Sequence, residues 1–199
     1  MSKPLYLFCG RSASGKSTVE NVLTSVGGYS SVISYTTRPK RSEDETTHIF
    51  VNEEQFSKLE EIMAYTKYNG YEYAATKYQI DLADIYTIDP DGIDELLKRY
   101  ETDRKIVVIY FDTSICTRID RMRNRHSPDS AIVSRLYTDE AFSWRDKLNK
   151  TVWHYKNNED RDIKMIVIDA NKDIDQVVKQ IADYINNNKT GEESYESIT

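Results

Sequence analysis

Residues 10–18 read Gly-Arg-Ser-Ala-Ser-Gly-Lys-Ser-Thr and fit the pattern G-x-x-x-x-G-K-[ST] without a mismatch. The run follows apolar Leu5-Tyr6-Leu7-Phe8-Cys9 and precedes a helix-like stretch from Ser17 to Val26. Strand, glycine-rich loop and helix start are the context in which such a run binds phosphate. Backbone N–H groups of Ser12, Ala13, Ser14, Gly15, Lys16, Ser17 and Thr18 would cradle the anion at a helix N-terminus. Gly10 and Gly15 permit the close backbone approach, Lys16 reaches the terminal phosphates, and the Ser17 hydroxyl is suited to Mg²⁺. The bland alternative is a glycine turn with an exposed lysine.

A second run, Ser34-Tyr35-Thr36-Thr37-Arg38-Pro39-Lys40-Arg41, lies just past a β-rich stretch. Arg38 and Arg41 could clasp one phosphate, because guanidinium forks match its oxygens. Charge grouping alone fits a solvated turn equally well. The arginine-rich 121–125 run reads as a lid or as the solvated face of a helix. His126 and His154 lack partners at metal-ligand spacing.

These residues need a frame. β-rich runs recur at Leu5–Cys9, Ser31–Tyr35, Ile85–Ile88, Ile106–Phe111 and Met165–Ile168. Between them stand helix-like stretches Val19–Val26, Ile93–Tyr100, Ser114–Arg123, Ala131–Leu148 and Ile174–Ile185. The alternation predicts an α/β fold, a three-layer arrangement of the P-loop NTPase kind with a mostly parallel central sheet. Ligands of such sheets bind at the carboxyl ends of the strands, where the Gly10–Thr18 loop falls. Residues 36–84, polar and tyrosine-rich, read as an inserted subdomain with β-like Thr47–Val51 and helix-like Glu53–Glu61. Residues 121–130 read as a mobile basic loop, and residues 186–199 as a polar tail without apolar periodicity.

Composition narrows the class. The 199-residue chain carries a net charge of −6, which argues against bulk nucleic-acid binding. No apolar run approaches the roughly 18–20 residues needed to span a bilayer. Its two cysteines, Cys9 and Cys116, read as reduced thiols, and no signal peptide is recognised, so a cytoplasmic protein is expected, monomeric or homodimeric.

With both runs in view, the sequence resembles the guanylate kinase family, most closely over residues 4–90 and more loosely from Arg121 onward. That resemblance implies phosphoryl transfer from ATP, with Mg²⁺, to a nucleoside monophosphate, GMP or dGMP in the family pattern. It implies a core of 1–35 and 85–188, a monophosphate-binding subdomain of 36–84, a lid at about 121–135 and a flexible tail of 189–199. Lys16, Arg38 and lid residues Arg121, Arg125 and Arg135 match its catalytic positions. Arg38, Arg41 and Tyr73 match groups that hold the acceptor phosphate, and Ser34 one that touches the base. Asp89 resembles an acid that holds Mg²⁺ waters, and Asn157 an asparagine near the donor adenine. His48 stands where a second phosphate-binding tyrosine is expected, as a phosphate contact or a surface histidine. The family's base-reading glutamate and threonine or serine fall on Ala64 and Ala75, with Glu72 a candidate replacement acid, and a strand aspartate falls on Thr87. Another base, a phosphorylated sugar as acceptor, or an inactive interaction module are the alternatives. The complete Lys16-Ser17 pair argues against the last.

Overall fold

The computed structural model describes residues 2–140 and 143–189. Four strands, β1 (Leu5–Cys9), β6 (Ile85–Thr87), β7 (Ile106–Asp112) and β8 (Ile163–Asp169), form a parallel sheet in the order β6-β1-β7-β8. Every residue of β1 is buried, and β7 is buried through Phe111. That is why these segments read as continuous apolar runs rather than alternating ones.

The two sheet faces carry two cores. Leu5, Leu7, Cys9, Val108 and Tyr110 pack with Ile93, Leu96 and Leu97 of α4 (Pro90–Arg99) and Leu148 and Val152 of α7 (Trp144–Asn158). Tyr6, Phe8, Val107, Ile109 and Phe111 pack with Val19 and Leu23 of α1 (Lys16–Ser25) and Val177, Ile181 and Ile185 of α8 (Ile174–Lys189). The result is the expected three-layer α/β arrangement. α4 shows why its boundary is sharp: Asp89 caps it, Pro90 occupies the first helical position, and Lys98 and Arg99 fill the last turn.

A second sheet, in the order β3-β2-β5-β4, comprises β2 (Tyr35–Thr36), β3 (Ile49–Phe50), β4 (Ile62–Tyr68) and β5 (Tyr71–Thr76). Two short helices, α2 (Glu53–Phe56) and α3 (Lys77–Leu82), flank it. The opposed pairs Ala64/Ala75, Thr66/Tyr73 and Tyr68/Tyr71 share one face, while Tyr65/Ala74 and Lys67/Glu72 share the other. Two further helices, α5 (Ile115–Asn124) and α6 (Asp129–Glu140), follow β7.

Several boundaries differ from the sequence reading. Ser31–Tyr35 is not a fifth core strand. Only a bridge from Ser31 to Ile85 joins the parallel sheet, and the chain then leaves it to enter the second sheet at Tyr35. The stretch Ala131–Leu148 falls in two helices, α6 ending at Glu140 and α7 beginning at Trp144, just after Ser143, whose hydroxyl donates to Asp146 (2.6 Å). Residues 121–130 are not one loop. Buried Met122 keeps α5 helical through Asn124, and Pro128 then accepts the first hydrogen bonds of α6. The helix α2 ends at Phe56 rather than reaching Glu61. Residues 186–189 belong to α8 instead of the tail, and 190–199 lie outside the described residues. Among the described residues, no helix is long and apolar enough to cross a membrane.

Arg104 ties the start of β1 to α3 and the turn after it. Its guanidinium donates to the carbonyls of Lys3 (2.8 Å), Pro4 (3.1 Å), Ile80 (2.9 Å) and Ala83 (2.7 Å). Arg104→Ala leaves these acceptors short of a charged donor and is expected to cost about 2–4 kcal/mol. Urea denaturation reads this directly, and an unchanged midpoint would contradict it.

Candidate active site

The loop between β1 and α1 is shaped by two glycines. A Cβ at Gly10 would lie 2.9 Å from the Phe111 carbonyl oxygen, and Gly15 adopts φ +103° at the helix entrance. No side chain caps α1 and no acidic residue stands in its first turn. The Thr18 and Val19 N–H groups bond to the Gly15 carbonyl (both 3.1 Å), which leaves the Lys16 and Ser17 N–H groups and the positive end of the dipole to an anion. Lys16 folds back over the loop, its Nζ donating to the carbonyls of Gly10 and Arg11 (3.0 Å) and to the Ser14 hydroxyl (3.3 Å). Burial lowers its pKa, against the opposing fields of Asp139 and Glu20. An ammonium held away from solvent by weak acceptors is ready for a stronger one.

The other half of the site is the face of the second sheet that carries Thr36, Phe50, Thr66 and Tyr73. The Ser34 hydroxyl and His48 Nδ1 are 3.0 Å apart, and His48 packs edge-on to Tyr73 and Phe50. Burial, and then the charge of Arg38, hold the His48 pKa below its ordinary value. Arg38 is 8% exposed, and the Glu45 carboxylate takes both ends of its fork (2.7 and 3.3 Å). Although burial works against the charge, these bonds raise the Arg38 pKa. The Arg38 Nε is buried with no hydrogen-bond partner among the described residues. Arg41 sits beside this pair, its pKa lowered by burial and then by the charges of Arg38 and Arg135. Arg135 reaches this neighbourhood from α6, so arginines from two segments converge. Glu45 neutralises one of them, and neither Arg41 nor Arg135 has an ion pair among the described residues.

Glu45 was not singled out from sequence, yet it organises this corner. The Arg38 hydrogen bond, helped by the Arg41 backbone N–H, holds its pKa at about 2 against 4.5 ordinarily. A depressed carboxylate contributes stability that is full above the unfolded pKa and lost as pH falls toward the folded one. Wild type is therefore expected to exceed Glu45→Gln by about 2–3 kcal/mol at neutral pH, with the gap closing between pH 4.5 and 2. Equal acid unfolding of both proteins would rule this out.

Other predicted residues fall elsewhere. Arg121 grips the outside of the phosphate loop and the turn after β8, donating to the carbonyls of Ser14 (3.1 Å) and Ala170 (2.8 Å). Arg125 ends α5 as an exposed residue. Ser17 is exposed on the first turn of α1. Asp89 accepts from the Gly92 N–H (2.8 Å) as a helix cap, and burial raises its pKa. Glu72 does not join the phosphate cluster: it lies on the opposite sheet face and accepts from the Tyr65 hydroxyl (2.9 Å). Neighbouring strand positions point apart, so Glu72 and Tyr73 cannot share a site. Asn157 is also displaced. It stands exposed in the last turn of α7, just before β8 begins in register with Ile106 and, through β7, Leu5. That is the amino edge of the sheet, opposite the loop. Ala64 and Ala75 face one another and are buried in the first core. At Thr87, the hydroxyl donates to Glu20 Oε2 (2.7 Å).

The sequence reading passed over Arg118, Asp139 and Glu140. Arg118 of α5 is fully buried and bonds to Glu140 Oε1 (3.0 Å), with Asp139 at 3.5 Å. Asp139 accepts from the Ser12 N–H (2.9 Å) and the Tyr68 hydroxyl (3.3 Å). Burial and the Asp139 charge push the Tyr68 phenol up to about 12. A signal was present: Arg118 and Met122 stand four apart on one helix face, an arginine at a core position.

No family model and no curated protein matches the chain. Among solved structures it is similar to a guanylate kinase from Anaplasma phagocytophilum, with a TM-score of 0.57 and 19% identity over 98% of this chain and 88% of that one. A sugar kinase from Janibacter sp. gives a TM-score of 0.48 at 15% identity, covering 92% of this chain and 95% of that one. A deoxyadenosine kinase from M. mycoides gives 0.43 at 15% identity, covering 92% and 100%. The first likeness extends along nearly the whole chain and shows the fold, in which the parallel sheet presents the Gly10–Thr18 loop at its carboxyl edge.

Proposed function

We propose that this chain is an ATP-dependent nucleoside monophosphate kinase. The observation that carries the reading is the pairing of two anion sites. One is the uncapped α1 entrance with Lys16, and the other is the cluster of Arg38, Arg41, Tyr73 and Arg135. Phosphoryl transfer asks chiefly for positioning and charge stabilisation, which the donors of these two sites would supply. In this reading, the loop and Lys16 hold the donor's β- and γ-phosphates, while Arg38, Arg41 and Tyr73 hold the acceptor monophosphate. Its oxygen is already ionised at neutral pH, so no dedicated base is needed. Arg135 would neutralise charge developing between the two. Arg121 would act through the loop, whose carbonyls it holds.

Magnesium fits the donor set: Ser17 offers an exposed hydroxyl at the loop, and Asp89 a carboxylate that its cap bonds orient. Bound with the nucleotide, the ion would neutralise phosphate charge. ATP as donor and Mg²⁺ as cofactor belong to this proposal, as do a cytoplasmic location and a monomeric or dimeric state.

GMP or dGMP is the acceptor that the Ser34–Arg41 run favours. The buried Ala64–Ala75 pair favours a second reading, a different base, because two methyl groups offer no partner to guanine's N–H and carbonyl groups. Competition among monophosphates at fixed ATP separates the two. A clear preference for GMP or dGMP supports the first, and preference for another base the second.

A further inference from the structure

A buried carboxylate occupies part of the phosphate loop. Asp139 Oδ2 accepts the Ser12 N–H at 2.9 Å, and Oδ1 lies 3.3 Å from both the Ser12 and Tyr68 hydroxyls. Asp139 belongs to the last turn of α6 and is 0% exposed. The partner cation, Arg118, is also 0% exposed. Its Nη1 is satisfied by Glu140, whose other oxygen lies 3.2 Å from Arg11 of the loop. Its Nε and Nη2 find no hydrogen-bond partner among the described residues, and Asp139 stands 3.5 Å from Nη2.

This is an unusual state for a guanidinium. It carries five N–H donors, and leaving charged donors buried and unfilled is costly. Nη2 shares the Asp139 Oδ2 atom with the Ser12 N–H of the loop, at 3.5 and 2.9 Å. A carboxylate and a phosphate present the same kind of anionic acceptor, and one N–H cannot serve both. The pocket is arranged for an anion, and the chain supplies one that fills it incompletely.

We propose that Asp139 is an internal stand-in for a donor phosphate and that Arg118 is a phosphate-binding residue held ready by it. The inference rests on the reading that the loop takes a nucleotide's phosphates. Nucleotide entry displaces Asp139 from Ser12, and the phosphate then takes the Ser12 N–H and the unfilled Arg118 donors. Arg118 then faces an anion in both states. The same displacement frees the Tyr68 hydroxyl and removes one of the two side-chain hydrogen bonds between α6 and the β4–β5 hairpin among the described residues, the Thr138–Asn69 contact (3.4 Å) being the other.

Calorimetry with ATP, inorganic tripolyphosphate and adenosine tests this on the full chain. Asp139→Asn removes the competing charge while keeping shape and is expected to bind ATP and tripolyphosphate about ten-fold tighter than wild type. The double variant Arg118→Gln/Asp139→Asn, which removes the buried pair together and so protects folding, is expected to lose that gain, falling about ten-fold below Asp139→Asn. Adenosine binding is expected to be the same in all three, which a merely structural role for Arg118 would not produce. Binding by Asp139→Asn equal to or weaker than wild type overturns the stand-in. Equal ATP binding by the double and single variants overturns the Arg118 role. If neither wild type nor Asp139→Asn binds ATP or tripolyphosphate, the kinase reading fails with it. If wild type binds and Asp139→Asn binds no tighter, this inference alone fails.

Discussion

Lys16→Ala is expected to lower turnover by about a thousand-fold, roughly 4 kcal/mol of transition-state stabilisation, without lowering the stability of the nucleotide-free protein. The second half of that expectation is the more demanding. In the absence of nucleotide, the Lys16 ammonium is buried against two carbonyls and a hydroxyl, and burial lowers its pKa. The cost of burying the charge opposes the three hydrogen bonds that its removal forfeits, so the net change in stability is expected to be small. The lost activity would then report an interaction made only when phosphates fill the loop. A variant that melts early and loses activity in proportion would make Lys16 a structural residue.

Arg38→Ala is expected to raise the acceptor KM by about 10–100-fold and to lower kcat, leaving ATP affinity nearly unchanged. The complication is Glu45, which would be left buried without its partner. Part of any effect would then be destabilisation, about 1–3 kcal/mol for a carboxylate that keeps the Arg41 N–H and Thr47 hydroxyl but loses its charged donor. The double variant Arg38→Ala/Glu45→Gln removes that penalty. Stability is expected to recover while the acceptor KM stays high. Recovery of both would mean that Arg38 serves only to hold Glu45, and equal weakening of both substrates would mean that it holds the fold.

Much of the core was legible because its signals are local. Leu5–Cys9 and Ile106–Phe111 are apolar on both faces, as central parallel strands must be, and Asp89-Pro90 announces the start of α4. The loop Gly10–Thr18 was legible because backbone chemistry demands its glycines. Of the residues that the sequence reading grouped, His48 and Tyr73 are in ring contact and Arg41 sits beside Arg38. Glu72, a candidate base-contacting acid in the sequence reading, lies on the sheet face opposite Tyr73, as strand alternation dictates. Asn157 was misread because its position depends on where α7 ends relative to the sheet, which no local pattern encodes. The Asp139–Ser12 contact joins residues 127 apart in the sequence and was visible only after folding. Its one trace in the sequence was Arg118, a charge at an apolar position.

The most direct measurement is an assay with ATP and Mg²⁺ against a panel of ribo- and deoxynucleoside monophosphates, with Lys16→Ala as control. Formation of ADP and a nucleoside diphosphate in equal amounts, from at least one acceptor and lost in the control, is the expected result. ATP binding without turnover of any monophosphate, or turnover unaffected by Lys16→Ala, would contradict the assignment of this chain as a nucleoside monophosphate kinase.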